Sequence, residues 1–145
     1  MEVYTIGFTK KNARQFFGLL KQAGIRRLVD VRLNNVSQLA GFAKKEDLRF
    51  FVEEVCGAEY VHEPLLAPTQ TILDNYKKRK GSWADYETQF LRLMEERRIE
   101  HALAPALLDR PTVLLCSEPK PDCCHRRLVA EYLRDRWGNL EIVHL

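Results

Sequence analysis

The feature that most constrains the fold is an alternation along the chain: short β-type apolar runs take turns with segments whose apolar residues recur at helical spacing. Residues 3–8 and 25–31 are rich in strand formers, and between them Ala13, Phe16, Phe17 and Leu20 give residues 10–23 one apolar helical face that stops before Gly24. The pattern then repeats. Leu48, Phe51, Val52 and Val55 stripe a helix over 44–55, and 58–62 reads as a third strand. Residues 63–81, with Pro64, Pro68 and the basic quartet Lys77-Lys78-Arg79-Lys80, read as a long connection, which is usually functional or mobile. Ser82 followed three residues later by Asp85 resembles a capping box opening a helix through Tyr86, Phe90, Leu93, Met94 and Leu103, bent near Pro105. A strand over 111–116, a helix over 123–137 and a strand over 140–145 complete the series. Strands alternating with helices of ten or more residues demand right-handed crossovers. The expectation is therefore a single α/β domain over 1–145, with a mainly parallel sheet of about five strands and helices on both faces.

Composition removes other classes. A chain of 145 residues, 46% hydrophobic and 30% charged, hides roughly two-thirds of its unfolded surface and folds without a disulfide or a metal. Seven Gly and six Pro argue against a collagenous or low-complexity chain, and four Cys are too few for a disulfide scaffold. The longest apolar runs, such as Thr112–Cys116, fall far short of the about 20 residues of a bilayer crossing, so no membrane partner is expected. The first residues, Met1-Glu2-Val3-Tyr4-Thr5-Ile6-Gly7, hold no basic leader before an apolar stretch. A cytoplasmic protein with reduced thiols is the expectation. A net charge of +3 permits an anionic small molecule or a nucleic acid as partner without demanding either, and leaves the oligomeric state open.

In a parallel sheet, ligands settle beyond the carboxyl ends of the strands. That edge should hold Gly7, Phe8, Asp30, Arg32, His62, Glu63, Cys116 and Glu118. The strongest local signal is the segment from Val113 to Arg126: a buried strand, a loop with Pro119 and Pro121, and a helix start at Cys123 and Cys124, with Asp122 suited to be its N-cap. The field of a helix N-terminus favours a thiolate, which makes Cys124 a candidate nucleophile, and Arg126 could clamp a phosphate or carboxylate. Alternation sends Asp30 and Arg32 to one face of their strand, as an anion site or as a simple internal ion pair. His62, at the end of the third strand, and Asp30 are the candidates for moving protons. The catalytic expectation is thus Cys124, His62 and Asp30; the substrate-binding expectation is Arg32, Arg126, Glu118, Cys116 and His125. Each has a plainer reading beside it, since one of two adjacent cysteines is commonly a packed small hydrophobe and a strand-end histidine commonly a structural donor. Trp83 and Tyr86, at helical spacing, read as core or rim.

Known cysteine motifs do not fit. Arginine does not stand six residues after Cys116 or Cys123, as in a phosphatase or rhodanese loop, and Cys-x-x-Cys is absent. Cys116, Cys123, Cys124, His125 and His62 are enough soft ligands for zinc but lack the usual paired spacing, so the fold would have to assemble a tetrahedral site. No metal and no cofactor is assigned.

Tyr4-Thr5-Ile6-Gly7, Leu28-Val29-Asp30-Val31-Arg32, Ser37, Phe42, Tyr60-Val61-His62-Glu63-Pro64 and Leu114-Leu115-Cys116-Ser117-Glu118 with Cys124-His125-Arg126 occur in that order along the chain. Together they resemble the bacterial and archaeal family catalogued as domain of unknown function 488. The resemblance implies an α/β fold and a shared site, and names no reaction. This chain departs from many members by having Phe8 and Thr9 after Gly7 in place of His-Ser, and Asn35 where a proline is common. Three readings follow: an enzyme acting on a phosphorylated or otherwise anionic substrate, a non-catalytic module for nucleic acid or a phosphate ligand, and a metal-binding or thiol-sensing protein.

Overall fold

The structure, a computed structural model, describes residues 1–35, 41–118 and 121–145. Ser37 and Pro119, both used in the sequence reading, lie outside the described residues. Five strands, β1 (Glu2–Gly7), β2 (Arg27–Asp30), β3 (Glu59–His62), β4 (Thr112–Cys116) and β5 (Glu141–His144), form one sheet in the order β3-β2-β4-β1-β5. Every pairing is parallel. The α/β class is as expected, and the sheet is parallel throughout.

Strict alternation divides each strand between two cores. Val3, Val29, Leu114 and Cys116 point to one face, where they meet α4 (Trp83–Glu96), α5 (Ile99–Ala102) and α6 (His125–Trp137) through Phe90, Met94, Ile99, Val129 and Leu133. Ile6, Leu28, Val113 and Leu115 point to the other, against α1 (Ala13–Gln22) and α2 (Lys45–Cys56) through Phe16, Leu20, Leu48 and Val52. Side chains of β4 are buried on both faces, which is why its sequence reads as an unbroken apolar run. The helix after β1 covers one face and the helix after β4 the other, although β1 and β4 are neighbours. Such a reversal opens a crevice at the carboxyl end of the sheet. Cys116 is the last residue of the strand at that reversal.

Three local expectations are corrected. The segment 63–81 contains α3 (Gln70–Lys77) after a short 3-10 turn at Pro64–Leu66; Thr69 caps α3 by accepting from the Ile72 N–H at 3.2 Å. The prolines masked this helix, yet both precede its first turn, where they do no harm. Ser82 caps α4 as expected, accepting from the Asp85 N–H at 3.1 Å, but the long helix ends at Glu96, because Arg98 takes a left-handed conformation with φ +49°. The break therefore precedes Pro105. Finally, α6 begins at His125 with Cys124 at the N-cap position, so Asp122 lies outside the helix rather than capping it.

Gly7 shows how tightly the edge is built. A Cβ there would lie 1.6 Å from the Glu118 carbonyl oxygen and 2.7 Å from Arg126 Nη1, so the end of β1 and the loop after β4 are in backbone contact. The Thr9 N–H to Ser117 carbonyl bond, 3.0 Å, continues that contact. A methyl group cannot be accommodated without moving backbone. Gly7→Ala is expected to lower the unfolding free energy by about 1–3 kcal/mol, read from urea denaturation; an unchanged midpoint would contradict the close approach.

Candidate functional site

At the carboxyl edge, Asp30 is the last residue of β2 and has no exposed surface. A bare carboxylate buried there would be costly, and the chain surrounds it with donors. Arg32 gives Nε and Nη2 to its two oxygens at 2.8 Å each, the Tyr60 hydroxyl donates at 2.6 Å, and the Arg32 backbone N–H and the Asn35 amide add longer bonds. Burial alone would raise the Asp30 carboxyl, but the hydrogen bonds and charge of Arg32, helped by Tyr60, hold it below the ordinary value. The Tyr60 hydroxyl moves up through burial and the neighbouring Asp30 charge. Asp30 is thus an ionised anchor, and the proton-transfer task expected of it does not match these bonds.

The anchor aims Arg32. Its guanidinium is 2% exposed and sits 5.4 Å from the centroid of Phe8, the residue after Gly7. With Nε and Nη2 committed to Asp30, Nη1 is left buried with no hydrogen-bond partner among the described residues. Arg32 lines a cavity of about 270 Å³. The opposite wall is aromatic: Trp83 and Tyr86 stack at 4.8 Å with their planes 17° apart, and Tyr76 leans on both. Lys77 and Glu118 meet at the rim, with Lys77 Nζ donating to Glu118 Oε1 at 3.0 Å. Cys116, Cys123, Cys124 and His125 complete the lining on the β4 and α6 side.

Here the fold assembles a group that the sequence spacing did not display. The sulfurs of Cys116 and Cys124 and a ring nitrogen of His125 all lie within 4.8 Å of one another, and all three residues are buried. His125 Nε2 is 2.6 Å from the Val31 carbonyl oxygen, and Nδ1 is 3.4 Å from Cys116 Sγ. Because a carbonyl only accepts, Nε2 bears a proton there, and Nδ1 is the ring nitrogen turned to the sulfurs. The expected depression of the Cys124 thiol is reversed: burial pushes it up, and the adjacent Cys116 sulfur adds to this. Cys116 moves the other way, favoured as thiolate by a hydrogen bond from Cys124, by the backbone N–H groups of Ser117 and Glu118 and by the charge of Arg126, against its burial. Being the N-cap residue rather than sitting within the first turn, Cys124 has its side chain directed into the protein, while Cys123 is exposed.

The remaining candidates fall outside the cavity lining. His62 is tied through Nε2 to the Arg32 carbonyl at 3.1 Å, so it braces the same loop instead of facing the cavity. Arg126 is completely buried; Nη1 donates to the Glu118 carbonyl, and Nε and Nη2 have no partner among the described residues. The Nη1 bond holds the loop after β4. The basic quartet is partly neutralised, since Lys77 pairs with Glu118 and Lys78 with Asp74, while Arg79 donates to Asn75. Sequence reasoning missed Tyr76 as a site residue because α3 was hidden, although Thr69 with Ile72, Leu73 and Tyr76 carries a cap and an apolar spacing.

A family model described as domain of unknown function DUF488 matches residues 12–133, and the chain belongs to that family. No curated protein and no solved structure matches it.

Removing the anchor's charge tests the electrostatics directly. Asp30→Asn leaves Arg32 buried without its counter-ion and is expected to cost about 3–5 kcal/mol at neutral pH. The folded-state value of Asp30 lies below its ordinary value, so its stabilisation is full above about pH 4–5 and fades as pH falls through the lower, folded value. The variant should therefore lose less stability than the parent on acidification below about pH 4. Urea titrations of both proteins across that range measure it; parallel curves would contradict the assignment.

Proposed function

We propose that this member of the DUF488 family is an enzyme for a small anionic substrate, carrying a phosphate or carboxylate, that enters the cavity at the carboxyl end of β4. One observation carries the reading: Arg32 lines the cavity, is 2% exposed, and keeps one guanidinium nitrogen, Nη1, without a partner among the described residues. A buried N–H of a cation without an acceptor is costly, and an anion in the cavity would satisfy it with a charge-assisted hydrogen bond. Asp30 takes the other edge of the guanidinium, so the free nitrogen is held in one place before a ligand arrives. Lys77 at the rim adds a second positive group that can turn from Glu118. The wall of Tyr76, Trp83 and Tyr86 suits a flat, weakly polar portion of the same molecule.

Cys116, Cys124 and His125 line the cavity away from solvent, which puts the polarisable, chemically reactive groups on the side where the substrate would be buried. That separation of a holding group from a reactive group favours catalysis over simple retention. The volume, about 270 Å³, favours a metabolite-sized ligand over a nucleic-acid strand. A reducing compartment such as the cytoplasm fits a site built on thiols.

Adenosine 5′-monophosphate combines a phosphate with a flat ring and serves as the probe. In a Trp137→Phe background, where Trp83 is the remaining tryptophan, it should quench fluorescence saturably, and inorganic phosphate should compete. Arg32→Lys keeps a cation beside Asp30 but removes the extra donor, and should weaken binding about tenfold or more; Lys77→Gln should weaken it a few-fold. Unsaturable quenching, or equal affinity in Arg32→Lys, would overturn the proposal.

A further inference from the structure

We infer that Cys116 Sγ, Cys124 Sγ and His125 Nδ1 form a binding site for one thiophilic divalent cation of the zinc type, whose remaining coordination position faces the cavity. The inference goes beyond the anion reading and does not depend on the groups that would hold the anion, Arg32 and Lys77. Two thiolates and a neutral imidazole are soft donors that match the charge and ligand preference of such an ion. Zinc distances of about 2.3 Å to sulfur and about 2.0–2.1 Å to nitrogen, at tetrahedral angles, put donor atoms about 3.6–3.8 Å apart. The observed Cys116 Sγ to His125 Nδ1 distance is 3.4 Å, and no two of the three donor atoms are more than 4.8 Å apart. Small side-chain adjustments therefore suffice.

The second observation is the imidazole's outer hydrogen bond. A ligating histidine almost always donates its other N–H to a carbonyl or carboxylate, which fixes the tautomer and the ring plane. His125 does this, with Nε2 on the Val31 carbonyl and Nδ1 directed at the sulfurs. The donors also come from rigid places: the last residue of β4, the N-cap of α6 and its first residue. Phe90, 5.4 Å from the His125 ring centroid, closes one side with an apolar face. All three residues line the cavity, so a fourth ligand can come from a substrate or water, the arrangement of a catalytic rather than a structural zinc site.

The test uses Co²⁺ as a spectroscopic stand-in on the full chain after chelator treatment. One equivalent should produce the strong visible bands of a tetrahedral ion with a thiolate charge-transfer band, and Zn²⁺ should abolish both by displacement. Cys116→Ser and Cys124→Ser should each reduce the charge-transfer intensity by about half, as one of two thiolates is removed, whereas Cys56→Ser should leave the spectrum unchanged. Because the primary titration is made on the unmodified chain, a variant that misfolds does not decide the outcome. Absence of a saturable spectrum, weak octahedral bands, or a spectrum indifferent to both cysteine variants would overturn the site; a spectrum altered by Cys123→Ser would overturn the open position. Arg32→Lys should keep the cobalt spectrum while losing nucleotide affinity, so failure of the metal site and failure of the anion reading are distinguishable.

Discussion

The carboxyl edge of the sheet depends on one buried ion pair. Asp30 and Arg32 are 0% and 2% exposed, two residues apart on a strand end, so their side chains leave the backbone on the same side and meet with bidentate geometry. Neither charge is stable alone at that depth. The pair fixes the loop after β2, whose carbonyls at Val31 and Arg32 then hold His125 and His62. It also divides the guanidinium into a used edge and an unused nitrogen, and the unused nitrogen belongs to a cavity-lining residue. A structural interaction thereby becomes a means of positioning a binding group.

The topology supplies the opposite side. Because β4 fills the place between β2 and β1, its own connection turns to one face while the helices that follow β1 and β2 lie on the other, and Gly7 lets the loop after β4 lie directly on β1. Cys116 is carried to the crevice by strand alternation, and Cys124 and His125 by the start of α6. Phe8 supplies an apolar face beside Arg32, whose guanidinium lies 5.4 Å from the ring centroid. Burial beside this ring keeps the guanidinium from water, which strengthens both its bond to Asp30 and the cost of an unsatisfied nitrogen.

Much of this was legible in the chain. Alternating apolar periods disclosed the strands, most helices and the parallel class, because burial on two faces dictates those patterns. The strand-end rule gathered Asp30, Arg32, Cys116, Glu118 and the start of α6 at one edge. What was not legible depended on single backbone angles and on side-chain direction. The start of α6 at His125 instead of Cys123 turned Cys124 inward and exposed Cys123, reversing the expected electrostatics of that thiol. The part of Tyr76 in the aromatic wall escaped notice because α3 is only eight residues long, below the length at which periodicity is decisive. Bonding partners were equally hidden: no spacing rule announces that Asp30 binds Tyr60 as well as Arg32, or that His62 is engaged by a carbonyl.

The central claim is that an anion completes Arg32. The most direct measurement is anomalous X-ray diffraction from crystals grown with tungstate, an electron-dense phosphate analogue. The account predicts one strong peak in the cavity, within hydrogen-bond distance of Arg32 Nη1 and beside the Trp83 and Tyr86 wall. Tungstate bound only at the outer lysines and arginine of residues 78–80, with the cavity empty of it, would contradict the account.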